Sequence, residues 1–175
     1  MMASKPFYSY REVIILKHKL DKSVEISAWI VMSLLLIKYV PKNRMREAHV
    51  AFLFKQFITW LFGLLVVEKG LISYPQRMFF KKANKSSFTF EYFVYPALCS
   101  LFNLHYPEKK NMLYKICYYV FYSASITVFE SIAIKYTNLI KYKKWTWDWS
   151  LITMWFTYYL SRQYQKWFFN QNTKE

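Results

Sequence analysis

The chain has 175 residues, of which 55% are apolar and 22% aromatic, yet its formal charge is +15 and its mean hydropathy only +0.02. A soluble basic domain rarely combines so many aromatic rings with only two glycines, and a nucleic-acid-binding surface would interleave Lys and Arg with those rings. Here most basic residues lie between apolar blocks, which excludes nucleic acid as the expected partner and is typical of a membrane protein.

Residues 1–23 form a basic leader whose one apolar run, VIIL, is too short for the core of a signal peptide. Part of this leader, YREVIILKHKL, suits a short interfacial helix as well as it suits a solvated basic segment. Both alternatives stay open, and we assign residues 1–23 as a cytoplasmic leader.

Five blocks of mostly apolar residues follow, at positions 24–40, 49–67, 87–104, 112–134 and 147–169, before a polar tail at 170–175. A helix needs about 20 such residues to cross roughly 30 Å of hydrocarbon. Short polar loops separate the blocks, and a backbone in lipid satisfies its own hydrogen bonds when it is helical. The sequence therefore predicts an all-α polytopic membrane protein, with a bundle of five transmembrane helices over residues 24–169.

The stretch YKKWTWDWSLITMWF, residues 142–156, places Trp145, Trp147 and Trp149 at alternate positions. Alternation alone would suit a β-strand face or a ring-stacking surface. The cluster, however, follows the basic KYKK and precedes the apolar SLITMWF. Indole is favoured at such a water–lipid boundary because its body is apolar while its N–H stays hydrated. We interpret the three tryptophans as interface anchors.

The distribution of basic residues over the loops predicts the orientation. The side that holds the leader, the second loop and the fourth loop carries fourteen Lys and Arg residues, and the other side carries nine. Because cytoplasmic loops are enriched in Lys and Arg, we expect the N-terminus in the cytoplasm and the C-terminus outside. The same excess favours anionic headgroups on the cytoplasmic side.

Glu91 and Glu130 each lie about one helical turn inside an apolar block, near the same predicted side of the bundle. One explanation pairs them with neighbouring Lys and Arg side chains at the interface, and the other is a shallow polar site that opens to the cytoplasm. Arg77 is the expected shared partner, because its planar fork binds two carboxylate oxygens and keeps its charge when partly buried. The candidate polar site is therefore Glu91, Glu130 and Arg77.

Small and hydroxyl side chains recur at helical spacing in three of the blocks, which would let helices approach closely. These stripes are Gln56, Thr59 and Gly63; Ser123, Thr127 and Glu130; and Ser150, Thr153, Thr157 and Ser161. Ordinary helix packing explains the hydroxyls by themselves. The second stripe is distinguished from the others because it ends on a carboxylate.

The sequence offers no constellation that predicts catalysis or metal binding. Its three histidines, His18, His49 and His105, are scattered, and there is neither an Asp-rich motif nor a Gly-rich phosphate loop. Cys99 and Cys117 lack metal-ligand spacing and are predicted to be small buried hydrophobes. We therefore expect no catalytic residue, no metal and no cofactor.

The motifs LISYPQRMFF, FTFEYFVYP, NLHYPEKK and KYTNLIKYKKWTWDW…SRQYQKWFF resemble a family of small polytopic membrane proteins of unknown function from spore-forming Gram-positive bacteria. The resemblance covers roughly residues 48–169 and is densest at Tyr74-Pro75-x-Arg77 and around Glu91. It implies a location in the bacterial cytoplasmic membrane, and it implies no chemistry and no catalytic residue.

Three functions are compatible with the sequence. The favoured hypothesis is a non-enzymatic component that assembles or regulates another membrane protein, or forms a homo-oligomer. The alternative is a small transporter or channel component in which Glu91 and Glu130 bind a cation or proton, although no inverted repeat is present. A membrane enzyme acting on lipid is the third, and it lacks the dense polar constellation such chemistry requires.

Overall fold

A computed structural model describes residues 10–170 of the chain, apart from Lys81 and Asn84. These residues form five α-helices, with the following bounds: α1 Tyr10–Tyr39, α2 Met45–Glu68, α3 Tyr95–Leu104, α4 Met112–Tyr136 and α5 Trp147–Asn170. A 3₁₀ turn (Lys42–Arg44) precedes α2, and a π-helical turn (Thr89–Val94) leads directly into α3. The predicted all-α architecture is confirmed.

The helices coincide with the five apolar blocks. The block at 24–40 is the second half of α1, which runs without a break from Tyr10, and the block at 87–104 contains the π-helical turn and α3. Residues 10–23 of the leader therefore belong to α1. Residues 1–9 of the leader and 171–175 of the tail lie outside the described residues.

Two helical segments in the described part of the chain are long and apolar enough to cross a membrane, Lys42–Glu68 and Met112–Tyr136. They contain α2 and α4. Among the same described residues, α1, α3 and α5 do not meet this standard of length and hydropathy, and α3 has only ten residues. The structure thus contains two helices able to span a membrane, and five spans are not confirmed.

Several charged side chains are buried in the bundle, while many large apolar side chains are exposed on its outside. Lys55, Glu91 and Glu130 are buried, whereas Ile37 and Phe121 are 79% and 66% exposed. A protein folded in water rarely buries charged groups, while helices packed in lipid bury small and polar groups between them. The exposed apolar side chains are typical of helices that contact lipid.

The two cysteines differ in burial. Cys99 is buried as predicted, but Cys117 is exposed, so the prediction was wrong for Cys117. Residues three and four apart share one face of a helix, and Cys117 lies on the same exposed face of α4 as Leu113 and Val120.

The central helix is α3, in which nine of ten residues are buried. It contacts α1, α2 and α5, and α4 packs mainly against α5. The ring of Phe102 on α3 contacts five tyrosine rings at centroid distances of 4.7–5.7 Å, from Tyr106, Tyr118, Tyr119, Tyr122 and Tyr158. This aromatic cluster fixes α3 against α4 and α5, because ring pairs at such distances add stability beyond their buried area.

Gly70 ends α2 and turns the chain back over the bundle. Its φ is +64°, a conformation that residues with a Cβ rarely adopt. The N–H groups of Gly70 and Leu71 donate to the last carbonyls of α2 and close the helix. The chain then enters β1 (Ile72–Ser73), which pairs antiparallel with β2 (Lys141–Tyr142). The loops that follow α2 and α4 are thereby joined.

Two buried carboxylates of α1 hold the same two loops. Asp21 Oδ1 accepts from the Asn138 N–H at 2.9 Å, and Glu25 Oε2 accepts from the Met78 N–H at 3.0 Å. Carboxylates that accept from backbone N–H groups make strong, charge-assisted bonds. The joined loops are thus fixed both to each other and to α1, at the end of the bundle where Glu91 and Glu130 lie.

Candidate functional site

Hydrogen bonds from α2 compensate for a proline at the start of α3. Pro96 has no N–H, so carbonyls in the preceding π-helical turn lose a helical donor. Two side chains of α2 donate instead, Gln56 Nε2 to the Tyr92 carbonyl at 3.0 Å and Thr59 Oγ1 to the Glu91 carbonyl at 2.7 Å. In membrane proteins, neighbouring helices satisfy in this way the backbone carbonyls that a proline leaves without a donor. The polar stripe on α2 therefore faces the backbone that carries Glu91.

The Glu91 side chain packs directly on Gly63 of α2. Glu91 is 3% exposed, and a Cβ added at Gly63 would overlap its carboxylate, so glycine is required here by close approach. The side chains of Tyr74 and Ser86 face the carboxylate. Both carboxylate oxygens are buried, and the hydroxyl groups of Tyr74 and Ser86 act as their hydrogen-bond donors. The polar groups that surround Glu91 are therefore neutral hydroxyls.

Glu130 of α4, in contrast, has both oxygens occupied by phenols. Tyr95 donates to Oε1 at 2.7 Å and Tyr142 donates to Oε2 at 2.6 Å. The Tyr142 oxygen also lies 2.6 Å from Ser150 Oγ, which accepts from Trp145 Nε1 at 2.8 Å. An ionised carboxylate is an acceptor only, and this arrangement of donors suits the ionised form of Glu130.

The phenols that the joined loops contribute remain protonated. Burial raises the pKa of Tyr74 well above its ordinary value, and the charges of Glu91 and Glu130 raise it further. Burial and the nearby Glu130 likewise raise the pKa of Tyr142. Desolvation and a neighbouring negative charge both disfavour a phenolate. Tyr74 and Tyr142 therefore act as O–H donors over the physiological pH range.

Both carboxylates line one cavity of about 70 Å³, which is enough for ordered water. The π-helical turn and helices α2 to α5 form its walls, and the joined loops line its other side. The polar and loop-derived side chains around it, besides Glu91 and Glu130, are Thr59, Tyr74, Tyr95, Trp145, Ser150, Thr153 and Thr157. This cavity is the candidate functional site, and we call it the carboxylate cavity.

Arg77 lies at a different place. It lines a separate cavity of about 380 Å³ together with Asp21 and Glu25, and its guanidinium donates to the Tyr74 carbonyl. The bond between Glu25 and the backbone N–H of Met78 fixes the loop on the α1 side. The structure therefore brings Glu91 and Glu130 to one cavity and Arg77 to another, and phenols contact Glu130 where a guanidinium was expected.

The three tryptophans divide between two environments. Trp147 and Trp149 lie in the first turn of α5 and are 62% and 53% exposed, so their alternation does not mark a strand. Trp145 precedes the helix and lines the carboxylate cavity. A position of all three at headgroup level stays a prediction, while Trp145 has a second role as a wall of the site.

Three residues of the site region were missed at the level of sequence. Tyr95 follows Glu91 by four positions, a spacing that places two residues on one helical face and could have indicated it. Tyr142 reaches Glu130 only because β1 and β2 pair, which no local pattern predicts. Lys55 is the one charged residue inside the apolar block at 49–67, and it is fully buried.

Metal chemistry has little support in the described residues. No group of three or more His, Cys, Asp or Glu side chains there could hold a metal ion. Hard cations take about six to eight oxygen ligands, whereas the oxygens of Glu130 already accept from two phenols.

The comparisons with known proteins add no relative. No family model, no curated protein and no solved structure matches the chain. The family resemblance of motifs such as LISYPQRMFF and FTFEYFVYP therefore stays a prediction. The function has to be inferred from the geometry of the carboxylate cavity.

Proposed function

We propose that the chain is an integral membrane protein, a small transporter or channel component, whose carboxylate cavity binds and releases a proton. The observation that carries this proposal is that Glu91 and Glu130 are both buried and line the same cavity. Ionisable side chains are rare within membrane bundles, and they commonly belong to proton or ion pathways.

The different surroundings of the two carboxylates support a division of roles. Glu130 accepts from Tyr95 and Tyr142, so both of its oxygens are occupied by phenol donors. Glu91 instead packs against Gly63 and faces the hydroxyls of Tyr74 and Ser86. Two carboxylates in one cavity repel each other when both are charged, and such a pair holds a proton between its members. Glu91 is the carboxylate that takes up and releases the proton.

The proposal includes five membrane-spanning helices, with the N-terminus in the cytoplasm of a bacterial cell and the C-terminus outside. Two helices of sufficient length and hydropathy and the outward-facing apolar side chains support it. Reporters fused after Glu175 and inserted at Lys82 should report opposite sides, with Lys82 cytoplasmic. Both reporters on one side would overturn the five-helix topology, and exchanged sides would overturn the orientation.

Proton flux into proteoliposomes tests the function. The purified chain is reconstituted with a pH-sensitive dye inside the vesicles, and a potassium diffusion potential set by valinomycin drives proton entry. We expect flux well above that of empty vesicles, and at least a tenfold loss in both Glu91→Gln and Glu130→Gln. Each substitution keeps the shape of the side chain and removes its ability to ionise.

Glu68→Gln is the matched control, because Glu68 is an exposed carboxylate at the end of α2 that lines neither the carboxylate cavity nor the cavity formed by Asn103 and Arg162. Its flux should equal that of the wild type. Absence of flux in the wild type, or unchanged flux in Glu91→Gln and Glu130→Gln, would overturn the proposed function.

A second candidate is a component that assembles or regulates another membrane protein. A groove of about 510 Å³ between α1 and α2 favours it, because side chains such as Ile37, Phe52 and Leu53 leave room there for an apolar partner helix. Purification from native membranes in mild detergent tests this candidate. A stoichiometric second protein would support it, and a chain that purifies alone or only as a homo-oligomer would exclude a different partner.

A further inference from the structure

Lys55 is a fully buried lysine in the middle of α2, with an exposed fraction of 0%. Its ammonium donates to Thr157 Oγ1 on α5 and lies 4.5 Å from the centroid of the Tyr158 ring. No carboxylate of the described residues lies within ion-pair distance of it. A buried ammonium without a carboxylate is costly, so its retention requires an explanation that packing does not supply.

On one side, Lys55 reaches the carboxylate cavity through a single hydroxyl. Thr157, which accepts from Lys55, is itself a wall of that cavity. Thr59, one turn along α2 from Lys55, lines the cavity as well and holds the Glu91 carbonyl. The Thr157 hydroxyl therefore connects the lysine amine to the cavity that Glu91 lines.

On the other side, a buried polar series leads from Lys55 toward the opposite end of the bundle. Cys99 on α3 is fully buried and lies near Lys55. Its Sγ lies 3.1 Å from Ser161 Oγ, which in turn accepts from Asn103 Nδ2 at 3.0 Å. Asn103 lines a second cavity, of about 600 Å³, that also contains Arg162. We call this the exit cavity.

Polar atoms without a partner lie along the same line. Among the described residues, Asn103 Oδ1, Tyr158 Oη and Gln165 Oε1 are buried and make no hydrogen bond to the protein. Buried polar atoms of this kind are usually satisfied by ordered water. Water at these positions would continue the polar series from Lys55 to the exit cavity.

We propose that Lys55 carries the proton between the carboxylate cavity and the exit cavity. In the first step, the Glu91 carboxylic acid loses its proton through water and the Thr157 hydroxyl to a neutral Lys55 amine, which leaves a carboxylate and an ammonium. In the second, the ammonium returns its added proton to water near Ser161, which leaves the neutral amine and a hydronium that departs through the exit cavity. No oxidant or other reactant is needed.

The groups that face Lys55 are consistent with this role. They are Thr157 and Tyr158 from α5 and Cys99 from α3, and none of these is a carboxylate. An ammonium and an amine are both accessible to lysine, whereas arginine does not lose its proton in proteins. Substitution of Lys55 by arginine therefore distinguishes two roles of the lysine: a carrier that gains and loses a proton, and a fixed positive charge that only balances Glu130.

The proteoliposome assay with internal dye tests the inference, which rests on the proposed function. Lys55→Met and Lys55→Arg should each reduce the proton flux at least tenfold relative to the wild type. Lys115→Met is the control, because Lys115 is a half-buried lysine of the other long apolar helix, α4, and lines neither cavity; its flux should equal the wild type. Ser161→Val removes a hydroxyl on the exit side and should also reduce the flux at least tenfold. This variant tests the relay if the Lys55 variants fail to fold.

The outcomes separate the two proposals. Loss of flux in Glu91→Gln and Glu130→Gln with wild-type flux in Lys55→Met, or in Ser161→Val, would overturn the relay and leave the proton-binding cavity in place. Wild-type flux in Lys55→Arg alone would show that only the positive charge is needed, and it would also overturn the relay. No flux in the wild type would overturn the proposed function itself.

Discussion

The two ends of the bundle hold their carboxylates in different ways. At one end, Glu91 and Glu130 are 3% and 6% exposed, and within the described residues neither forms an ion pair. At the other end, Glu47 pairs with Arg44 at 2.5 Å and Glu108 pairs with Arg162, and both glutamates have about a third or more of their side chains exposed. Hydroxyls and phenols satisfy the first pair, and opposite charges with access to water satisfy the second.

This difference shows which end depends on a complete set of buried hydrogen-bond donors. Exposed ion pairs contribute about 1 kcal/mol or less, because water solvates either partner when the other is lost. A buried carboxylate has no such alternative, and its donors must be in place before it can be charged. The carboxylate end thus requires side chains from four helices and two loops, whereas each ion pair at the opposite end needs only two side chains.

The largest expected effect comes from removing the buried carboxylate. Glu130→Ala removes the acceptor of both Tyr95 and Tyr142, and it leaves the buried Tyr95 phenol unsatisfied, while Tyr142 keeps its hydrogen bond with Ser150. Hydrogen bonds to charged groups contribute about 1.5–3 kcal/mol each, so we expect a loss of roughly 2–4 kcal/mol in the free energy of unfolding. Chemical denaturation in detergent micelles, followed by circular dichroism, measures it.

Glu47→Ala is the comparison at the opposite end. It removes an exposed partner of Arg44, and its cost should be about 1 kcal/mol or less. Equal losses for Glu47→Ala and Glu130→Ala, or a gain of stability in Glu130→Ala, would show that the two ends do not differ in the way proposed.

The next effect concerns the close approach of α2 to the π-helical turn. Gly63→Ala places a methyl group on the Glu91 carboxylate, and overpacking of this kind costs about 1–3 kcal/mol. The double variant Gly63→Ala with Glu91→Ala removes the overlap, so its loss should be smaller than the sum of the two single losses. Thermal unfolding of the four proteins in the cycle measures the difference.

Gly70→Ala provides the matched control for this cycle. A Cβ at Gly70 meets no atom within 4 Å, and its cost of about 1 kcal/mol arises from the left-handed φ alone. Adding Glu91→Ala should not relieve it. Strictly additive losses for Gly63→Ala and Glu91→Ala would contradict the proposed contact.

The positions of the helices and the common level of the two buried carboxylates can be predicted from the sequence. Hydropathy and block length locate the helices, because each apolar block has to bury its backbone in a helix. Glu91 and Glu130 each lie about one helical turn inside an apolar block, on the same predicted side of the bundle, which indicates that they lie at a common level. Arg77, however, was expected as their partner, and its position depends on the β1–β2 pairing and on the bond from Glu25 to the next residue, Met78.

Other features need three-dimensional contacts that hydropathy does not record. The π-helical turn shifts the register by about one residue relative to an α-helix, so the direction of Glu91 cannot be obtained from spacing alone. Lys55 is the one charged residue of its apolar block, and hydropathy does not indicate which face of the helix it occupies. Its full burial follows only from the packing of α2 against α3 and α5.

A smaller effect distinguishes a buried phenol at the carboxylate end from an exposed one by its dependence on pH. Because burial raises the pKa of Tyr74 above that of an unfolded tyrosine, its contribution is fully present below pH of about 10 and is lost as pH rises further. One such phenol contributes a slope of about 1.4 kcal/mol per pH unit. Tyr74→Phe should therefore reduce the alkaline fall in stability, measured by denaturation between pH 9.5 and 11. Tyr136→Phe, at an exposed position on α4, should retain the wild-type slope, and an unchanged slope in Tyr74→Phe would contradict its burial.

The smallest expected effect is at the ion pair of the opposite end. Glu108→Gln removes a carboxylate that is 45% exposed and contacts Arg162 and, at 3.6 Å, Lys166. We expect a loss of about 1 kcal/mol or less in low salt, because water replaces the lost partner. Near 1 M salt the Debye length falls to about 3 Å, which screens exposed charges, so the loss should shrink further. Denaturation of wild type and variant at 0.05 and 1 M sodium chloride measures both quantities.

The stability loss in Glu130→Ala should be unaffected by the same change in salt, since its carboxylate is enclosed by phenols and helices rather than by solvent. A salt-independent loss of several kcal/mol in Glu108→Gln would mean that this end, too, holds a carboxylate the fold cannot replace.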